Sequence, residues 1–253
     1  LDRQQGYSGT ARTLLEQSLA IFRELGDKPN IAGTLGGLGY VTRNQGDYKA
    51  ARAHFAESLS IYRELGEQGG VAWSLSGLGM VACDRGDYAH ARALLEESLG
   101  APQRRGSERN AWSLNGLGIV AHRQGEYETA RALLEQSLAL SREWGDIRGV
   151  AESLGTLGRV ACDQGEYETA RTLLQESLWI SRELGSKLRV IANLEGLATV
   201  AAALARPGRA ALLFGTAAAL REAIGAPHSP VERTDYERDV TALRTALGEA
   251  AFA

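Results

Sequence analysis

The sequence has few of the features that mark secreted, membrane or nucleic-acid-binding proteins. Its 253 residues include two cysteines, five prolines and one methionine, and the formal net charge is −3. Two cysteines cannot build a disulfide framework, so we expect a reducing, cytoplasmic setting. No apolar run reaches the length of a membrane span, and no excess of positive charge favours nucleic acid or an anionic membrane.

Glycine, by contrast, is abundant, with 30 residues in the chain. A word of Gly, an acidic residue and Tyr begins at Gly46, Gly86, Gly125 and Gly165, and a version without the acid begins at Gly6. The successive spacings are 40, 40, 39 and 40 residues. Two further words, RELG and LxxLG with their variants, keep the same period. A fixed period of this length indicates a solenoid, in which each unit buries a face against its neighbours.

Each unit is predicted to contain two helices. In one of them, Ala51, Phe55, Leu59 and Tyr62 are three or four residues apart and therefore share a helical face, and Gly66 is placed to end that helix in a left-handed turn. The other helix contains the LxxLG word. Glycine inside a helix costs about 1 kcal/mol relative to alanine. We therefore expect close contacts between paired helices, with no room for a Cβ, at Gly36, Gly39, Gly79, Gly118 and Gly158.

The segment LGGLGYVTRNQGDYKAARAHFAESL, residues 35–59, resembles a tetratricopeptide repeat. The small and large positions of that family correspond here to Leu38, Gly39, Gly46, Tyr48, Ala51 and Phe55. The 40-residue period is similar to the longer-helix branch, which includes kinesin light chains and bacterial regulatory relatives. The resemblance implies an all-α solenoid of stacked antiparallel helix pairs over residues 1–226.

Two places break the repeat. In the third unit, Gly100 and Pro102 stand inside the second helix, and an interior proline costs about 3 kcal/mol, so we expect that helix to end early or kink near 99–102. In the last unit Pro207 replaces the tyrosine and suits a first helical position. Residues 227–253 then leave the period and are predicted to form a C-terminal capping helix across the open end of the stack, with apolar positions at Tyr236, Val240, Leu243 and Leu247.

This C-terminal tail resembles the end of the tetratricopeptide region in large bacterial regulators of the LuxR or AfsR/SARP type. The resemblance implies an NTPase domain and a DNA-binding domain upstream of such a region. The chain itself contains no Walker motif, so we expect no ATP binding by these residues.

A Cys-Asp pair recurs in VACDRGDYAHARALLEESL, residues 81–99, and in VACDQGEYETARTLLQESL, residues 160–178. The pairs would form either a thiol–carboxylate site or part of a copied structural unit. Cys83 and Cys162 lie two units apart, on the order of 20 Å, which is too far for a disulfide. The four histidines lack metal-ligand spacing, and the catalytic motifs that we considered are absent. We therefore expect no metal, no cofactor and no enzymatic activity.

The family resemblance implies that the first helix of every unit lines a concave groove. We expect partner-binding residues in the first four full units at Tyr40, Arg43, Asn44, Trp73, Ser76, Met80, Asp84, Trp112, Asn115, Ile119, His122, Arg123, Glu152, Thr156, Arg159 and Asp163. Trp73 and Trp112 occupy equivalent places in neighbouring units, off the leucine-rich face, and tryptophan and arginine dominate interface hot spots. Packing of both tryptophans between units is the alternative that stays open.

These features favour a non-catalytic protein–protein interaction module. We expect it to be the sensory or docking region of a larger bacterial regulator, with a peptide or an amphipathic partner helix bound in the groove. Trp73, Trp112, Tyr40 and Met80 would be apolar anchors, and arginines at 43, 123 and 159 would pair with acidic groups. A self-associating scaffold and a small-ligand sensor are the alternatives. Binding of nucleic acid by this region and binding to a membrane are not expected.

Overall fold

The computed structural model describes the backbone of residues 6–100 and 108–248 and the side chains of residues 11–100 and 110–248. Within these residues the chain forms twelve helices and no strand. No helix among them is both long and apolar enough to cross a membrane. In chain order the helices are α1 Gly6–Leu25, α2 Lys28–Asn44, α3 Tyr48–Leu65, α4 Gln68–Asp84, α5 Tyr88–Gly100, α6 Glu108–Arg123, α7 Tyr127–Glu143, α8 Ile147–Asp163, α9 Tyr167–Glu183, α10 Lys187–Ala203, α11 Pro207–Ile224 and α12 Pro230–Leu247.

The helices from α2 to α11 pack as five consecutive pairs. Each even-numbered helix packs most extensively on the helix that follows it, and each pair then stacks on the next. Successive even-numbered helices also contact one another along the stack from α2 to α10. The stack therefore curves with the even-numbered helices in its inner layer, which confirms the predicted all-α solenoid.

The predicted helix boundaries follow from the repeated words. Helices begin at Tyr48, Tyr88, Tyr127 and Tyr167, and each of these tyrosines is partly buried against the apolar core of its unit. Gly66 follows α3 in the left-handed conformation with φ of 70°, as predicted for a C-terminal glycine cap. The tyrosines are therefore packing residues at the corner between helices.

The glycines of the inner helices lie where a partner side chain approaches the backbone. A Cβ on Gly39 would lie 2.8 Å from the Phe55 ring, and one on Gly118 would lie 2.6 Å from Leu134. Gly79 and Gly158 face leucines of their paired helices in the same way. Real Cβ atoms do not approach other atoms this closely, so the predicted role of these four glycines is confirmed. For Gly36 the predicted contact with the paired helix is wrong, because the side chain that meets it is Trp73 of the next unit.

In the first four helix pairs, a buried serine of the outer helix also connects the two helices. Ser58 Oγ donates to the carbonyl of Ala32 at 2.8 Å, and Ser98 Oγ donates to the carbonyl of Ala72 at 2.7 Å. Ser137 and Ser177 make the same bond to the carbonyls of Ala111 and Ala151. These serines belong to the repeated ESL and QSL words, which sequence analysis had not assigned a role.

The two breaks in the repeat have different outcomes. Pro102 lies outside the described residues, so the kink near 99–102 stays a prediction, and α5 is described as far as Gly100. Pro207 starts α11, as predicted.

Helix α12 begins with a complete capping box, in which the Ser229 and Glu232 side chains each accept from the other residue's backbone N–H. Leu243 is buried against α10 and α11, and Tyr236, Val240 and Leu247 pack around it, as predicted. The division into an array of residues 1–226 and a cap of residues 227–253 stays a prediction.

Candidate binding groove

The inner helices enclose a groove of about 1010 Å³. Side chains from α2, α4, α6, α8 and α10 line it. Ser229, Val231 and Glu232, from the start of α12, line it as well. The C-terminal element therefore does more than cover the end of the stack, because its first turn lies in the concave face.

Most of the predicted groove residues line this groove. They are Tyr40, Arg43, Trp73, Ser76, Met80, Asp84, Trp112, Asn115, Ile119, His122, Arg123, Glu152, Thr156 and Arg159. Asn44 is exposed at the C-terminal end of α2 and is not among the lining residues. Asp163 lines a second cavity of about 870 Å³ between the array and α12.

Trp73 is both an inter-unit packing residue and part of the groove surface. Its ring lies directly against the backbone of Gly36, so that a Cβ at that glycine would overlap it. The ring centroids of Trp73 and Tyr40 are 5.7 Å apart, and Tyr40 in turn meets Phe55 edge-on at 5.2 Å. Burial raises the pKa of Tyr40, even though the nearby Arg43 charge lowers it. The glycine therefore provides the space for a half-buried aromatic cluster on the groove floor.

Trp112 continues this surface in the next unit. Its indole Nε1 donates to Asp146 Oδ2 at 3.2 Å, which fixes the ring against the start of α8. Met80 and Ile119 are also half-buried and line the same groove. Trp112, Met80 and Ile119 thus extend across α4 and α6 the apolar surface that Tyr40 and Trp73 begin.

Two of the predicted cationic residues are already paired within the chain. Arg43 Nε donates to Asp84 Oδ2 at 2.6 Å and Arg43 Nη2 donates to Asp84 Oδ1 at 3.1 Å, which is a bidentate pair between α2 and α4. Burial opposes the charged form of Arg43, but Asp84 raises the pKa of Arg43 above its ordinary value. Arg123 Nη1 donates to Asp235 Oδ2 of α12 at 2.5 Å. Each of these two guanidinium groups is therefore paired with a carboxylate of the same chain.

Glu232 lies in the groove among several arginine charges. Burial would raise the pKa of its carboxyl group, but the charges of Arg159 and Arg123 and the backbone N–H of Ser229 outweigh burial and lower that pKa to about 2. The carboxylate is therefore ionised at neutral pH and balances arginines from α6 and α8.

His122 and Asp163 connect α6 to α8 beside these arginines. Nε2 of His122 lies 2.6 Å from Asp163 Oδ2. Burial lowers the pKa of His122 despite this partner, so the neutral imidazole is favoured. Burial would raise the pKa of Asp163, but the hydrogen bond from His122 and the charges of Arg159 and Arg238 lower it. The pair ties two inner helices together at neutral pH.

Sequence analysis missed several groove residues. Arg189 pairs with Glu152 at 2.5 Å, and Arg148 also lines the groove. The signal was a change within the repeat, because Arg189 stands where two earlier units have Gly70 and Gly149. It also missed the acidic residues of α12, whose three- and four-residue spacing, at Glu232, Asp235 and Asp239, was visible in the sequence.

The Cys-Asp pairs belong to the repeated unit. Cys83 and Cys162 are free, buried thiols on α4 and α8. Burial raises the pKa of each to about 11, so neither thiol is activated as a nucleophile. Within the described residues, no group of three or more His, Cys, Asp and Glu side chains is arranged to hold a metal ion.

Known structures share this architecture. BtubC (BKLC) from P. vanneervenii superposes with a TM-score of 0.61 at 17% identity, over 86% of this chain and 92% of that one. A Rap protein complexed with Competence and Sporulation Factor gives 0.59 at 14% identity, over 85% of this chain and 64% of that one. The apo form of RapI gives 0.55 at 18% identity, over 86% and 84%. Identities this low show a shared fold.

The family assignment comes from the sequence itself. No curated protein sequence matches the chain. The profile of the family described as tetratricopeptide repeat matches residues 3–64, 30–104, 70–143 and 149–223. Repeats of this kind are generally non-catalytic scaffolds for protein–protein interaction. The chain belongs to the tetratricopeptide repeat family.

Proposed function

We propose that this region binds a peptide or a helix of a partner protein in its concave groove and performs no catalysis. The observation that carries the proposal is the cluster of half-buried Tyr40, Trp73, Met80 and Trp112 on the groove floor. Aromatic side chains in a concave, partly desolvated surface supply most of the binding energy at protein interfaces. The apolar groove residues would therefore anchor the partner.

The character of the floor favours an amphipathic helix over an extended peptide. The groove walls are helices, whose interior backbone groups bond within each helix and leave recognition to side chains. The row Tyr40, Met80, Ile119 and Arg159 contains no asparagine that would hold an extended backbone. A partner helix with its apolar face on Trp73 and Trp112 fits this surface.

The wider setting that we propose is the docking region of a larger cytoplasmic bacterial regulator. One expectation and one comparison support it. From its sequence we expect the C-terminal tail to correspond to that of regulators of the LuxR or AfsR/SARP type, and the similar Rap protein was solved in complex with Competence and Sporulation Factor. The array of residues 1–226 would carry the groove, and residues 227–253 would close it.

Peptide selection on the full chain tests the groove directly. Short peptides would be selected from a random display library on the wild-type chain. Their affinities for wild type and for Trp73→Ala/Trp112→Ala would then be compared by fluorescence anisotropy. We expect affinity to fall about tenfold or more, because truncating a hot-spot tryptophan costs about 2 kcal/mol. The matched control is Trp144→Ala/Trp179→Ala, because these two tryptophans are exposed and do not line the groove. Equal affinity for wild type and the groove variant would contradict the anchor assignment.

Self-association is the second candidate, and one observation favours it. Leu14, Ile21 and Leu25 of α1 are 57%, 55% and 71% exposed, which leaves an apolar surface at one end of the stack. Light scattering over a range of protein concentrations measures the molar mass in solution. A monomeric mass at the highest concentration would contradict self-association.

A further inference from the structure

Helix α12 has two distinct faces. Tyr236, Val240, Leu243 and Leu247 form its apolar face, which packs on α10 and α11. Three acids, Glu232, Asp235 and Asp239, are spaced three and four residues apart and share another face. The apolar face explains why α12 covers the end of the array, but it does not explain the acidic one.

The acidic face contacts three successive inner helices. Asp235 pairs with Arg123 of α6, and Glu232 lies in the field of Arg159 of α8. Thr199 Oγ1 of α10 donates to Asp239 Oδ2 at 3.0 Å. Each acid of this face thus faces a cation or a hydroxyl donor of the concave surface. The acidic face of α12 is therefore complementary to that surface along its whole length.

The segment before α12 extends across the groove. His228 Nε2 lies 3.0 Å from Glu195 Oε1 of α10. On the other side, a Cβ on Gly46 would lie 3.1 Å from Pro227 Cγ, and one on Gly86 would lie 3.8 Å from Val231 Cγ2. Residues 227–231 therefore connect the last units to turns of the first two full units.

We propose that Arg123 and Arg159 form an anion-binding centre of the groove that the N-terminal part of α12, residues 230–235, fills from within the chain. A partner helix with two carboxylates three residues apart, matching Glu232 and Asp235, takes this centre by displacing that part. The inference rests on the proposed function only in that the partner enters the same groove.

The two ends of α12 are held by different interactions, which makes such an exchange local. The C-terminal part is fixed by apolar burial around Leu243. The N-terminal part, residues 230–235, is held mainly by charge, and its one large apolar residue, Val231, is only partly buried. Its release therefore breaks the Arg123–Asp235 ion pair without opening the core around Leu243.

The partner needs contacts that α12 does not make. A tethered segment competes at an effective concentration of about millimolar. A displacing helix gains over it through the apolar floor near Trp73 and Trp112. The contacts of α12 described above lie elsewhere, at Arg123 and Thr199, beside Gly86, and on α10 and α11. Carboxylates in the α12 register give specificity, and the aromatic anchors give the additional affinity.

The test uses a fluorescein-labelled peptide of residues 227–241 as a probe of the full chain. Wild type is compared with Glu232→Gln/Asp235→Asn, which keeps the shape of α12 but removes both charges. We expect the variant to bind the probe about tenfold or more tightly, because the internal competitor is weakened. A probe with the same two substitutions should bind neither chain. Glu237→Gln is the control, because Glu237 is an exposed acid of the same helix.

Hydrogen exchange of the same proteins gives a second readout that does not depend on the probe. Amides of residues 231–236 should exchange faster in Glu232→Gln/Asp235→Asn, whereas α10 and α11 exchange as in wild type. Equal probe affinity for wild type and variant, or unchanged exchange in α12, would overturn the proposal.

The outcome is also distinguishable from a failure of the proposed function. Display-selected peptides that depend on Trp73 and Trp112 but bind wild type and Glu232→Gln/Asp235→Asn equally would leave the groove assignment standing and would reject the exchange. Probe binding that rises in the acid variant, together with display-selected peptides whose affinity is unchanged by Trp73→Ala/Trp112→Ala, would support the arginine centre and reject the aromatic anchors.

Discussion

The two parts of the groove are built from the same repeat but present different chemistry. In the part formed by α2, α4 and the start of α6, Tyr40, Trp73 and Trp112 form an apolar floor. In the part formed by the end of α6 with α8 and α10, Arg123, Arg159 and Arg189 line the groove, and Glu232 of α12 lies in the field of Arg123 and Arg159. Positions that pack inside a unit repeat closely, whereas groove positions vary, because only the former are fixed by the stacking of units.

The two parts also differ in how their charges are satisfied. Arg43 is paired with Asp84 inside the array, so this pair persists whether or not α12 is in place. Arg123 is paired with Asp235, which belongs to α12. The Arg43–Asp84 pair is therefore internal to the array, whereas the pairing of Arg123 depends on the C-terminal helix.

The largest expected effect comes from breaking the Arg43–Asp84 pair. Both side chains are mostly buried, at 20% and 16% exposure, so Arg43→Met leaves a desolvated carboxylate without its bidentate partner. We expect a loss of about 2 kcal/mol in the free energy of unfolding, measured in urea. The control is Arg23→Met, whose ion pair with Glu57 is about half exposed and should contribute less than about 1 kcal/mol. Equal losses would show that burial of the pair is irrelevant.

A smaller effect is expected from filling the space under Trp73. Gly36→Ala places a Cβ into the ring, which must move, and overpacking costs about 1–3 kcal/mol, offset by about 1 kcal/mol of improved helix propensity. Gly33→Ala on the same helix is the matched control, because its Cβ would lie 3.5 Å from the Tyr62 hydroxyl, which is an ordinary contact. We expect Gly33→Ala to be neutral or stabilising in thermal unfolding. A stabilised Gly36→Ala would contradict the proposed seat for the ring.

A further effect is a pH dependence of stability that arises at Glu232, in the first turn of α12. The pKa of Glu232 is lowered from 4.5 to about 2 in the folded chain. Its ionised form therefore stabilises the fold above about pH 4.5, and this contribution is lost as pH falls towards 2. The stability difference between wild type and Glu232→Gln, from urea titrations, should be constant above pH 4.5 and vanish near pH 2. A difference independent of pH would show that the charge of Glu232 is not what holds the first turn.

Much of the fold was predictable because the repeated words encode local geometry. The glycine of the LxxLG word predicted close helix contacts, and Gly39 lies against Phe55. The apolar spacing of the tail predicted the face of α12 that packs around Leu243. The placement of most groove residues followed once the inner helix of each unit was identified. Their role in binding stays a prediction.

The positions of α12 and of the charge partners were not predictable in the same way. Asp235 lies 112 residues after Arg123, and no period relates the two. From the sequence, Arg43 and Arg123 were expected to pair with acidic groups of a partner. They pair instead with Asp84 and Asp235 of the same chain, which the stacking and curvature of the array bring close. Curvature is the sum of small rotations between units, which no single word specifies.

The sequence alone determined that this chain is a stack of helix pairs, because stacking requires the same small and large residues at the same place in every unit. The tertiary structure alone decided which part of the inner surface is apolar and which is covered by α12. That outcome depends on how far the array curves and on which side chains the curvature brings together across the groove, and those contacts join residues that are distant in the chain.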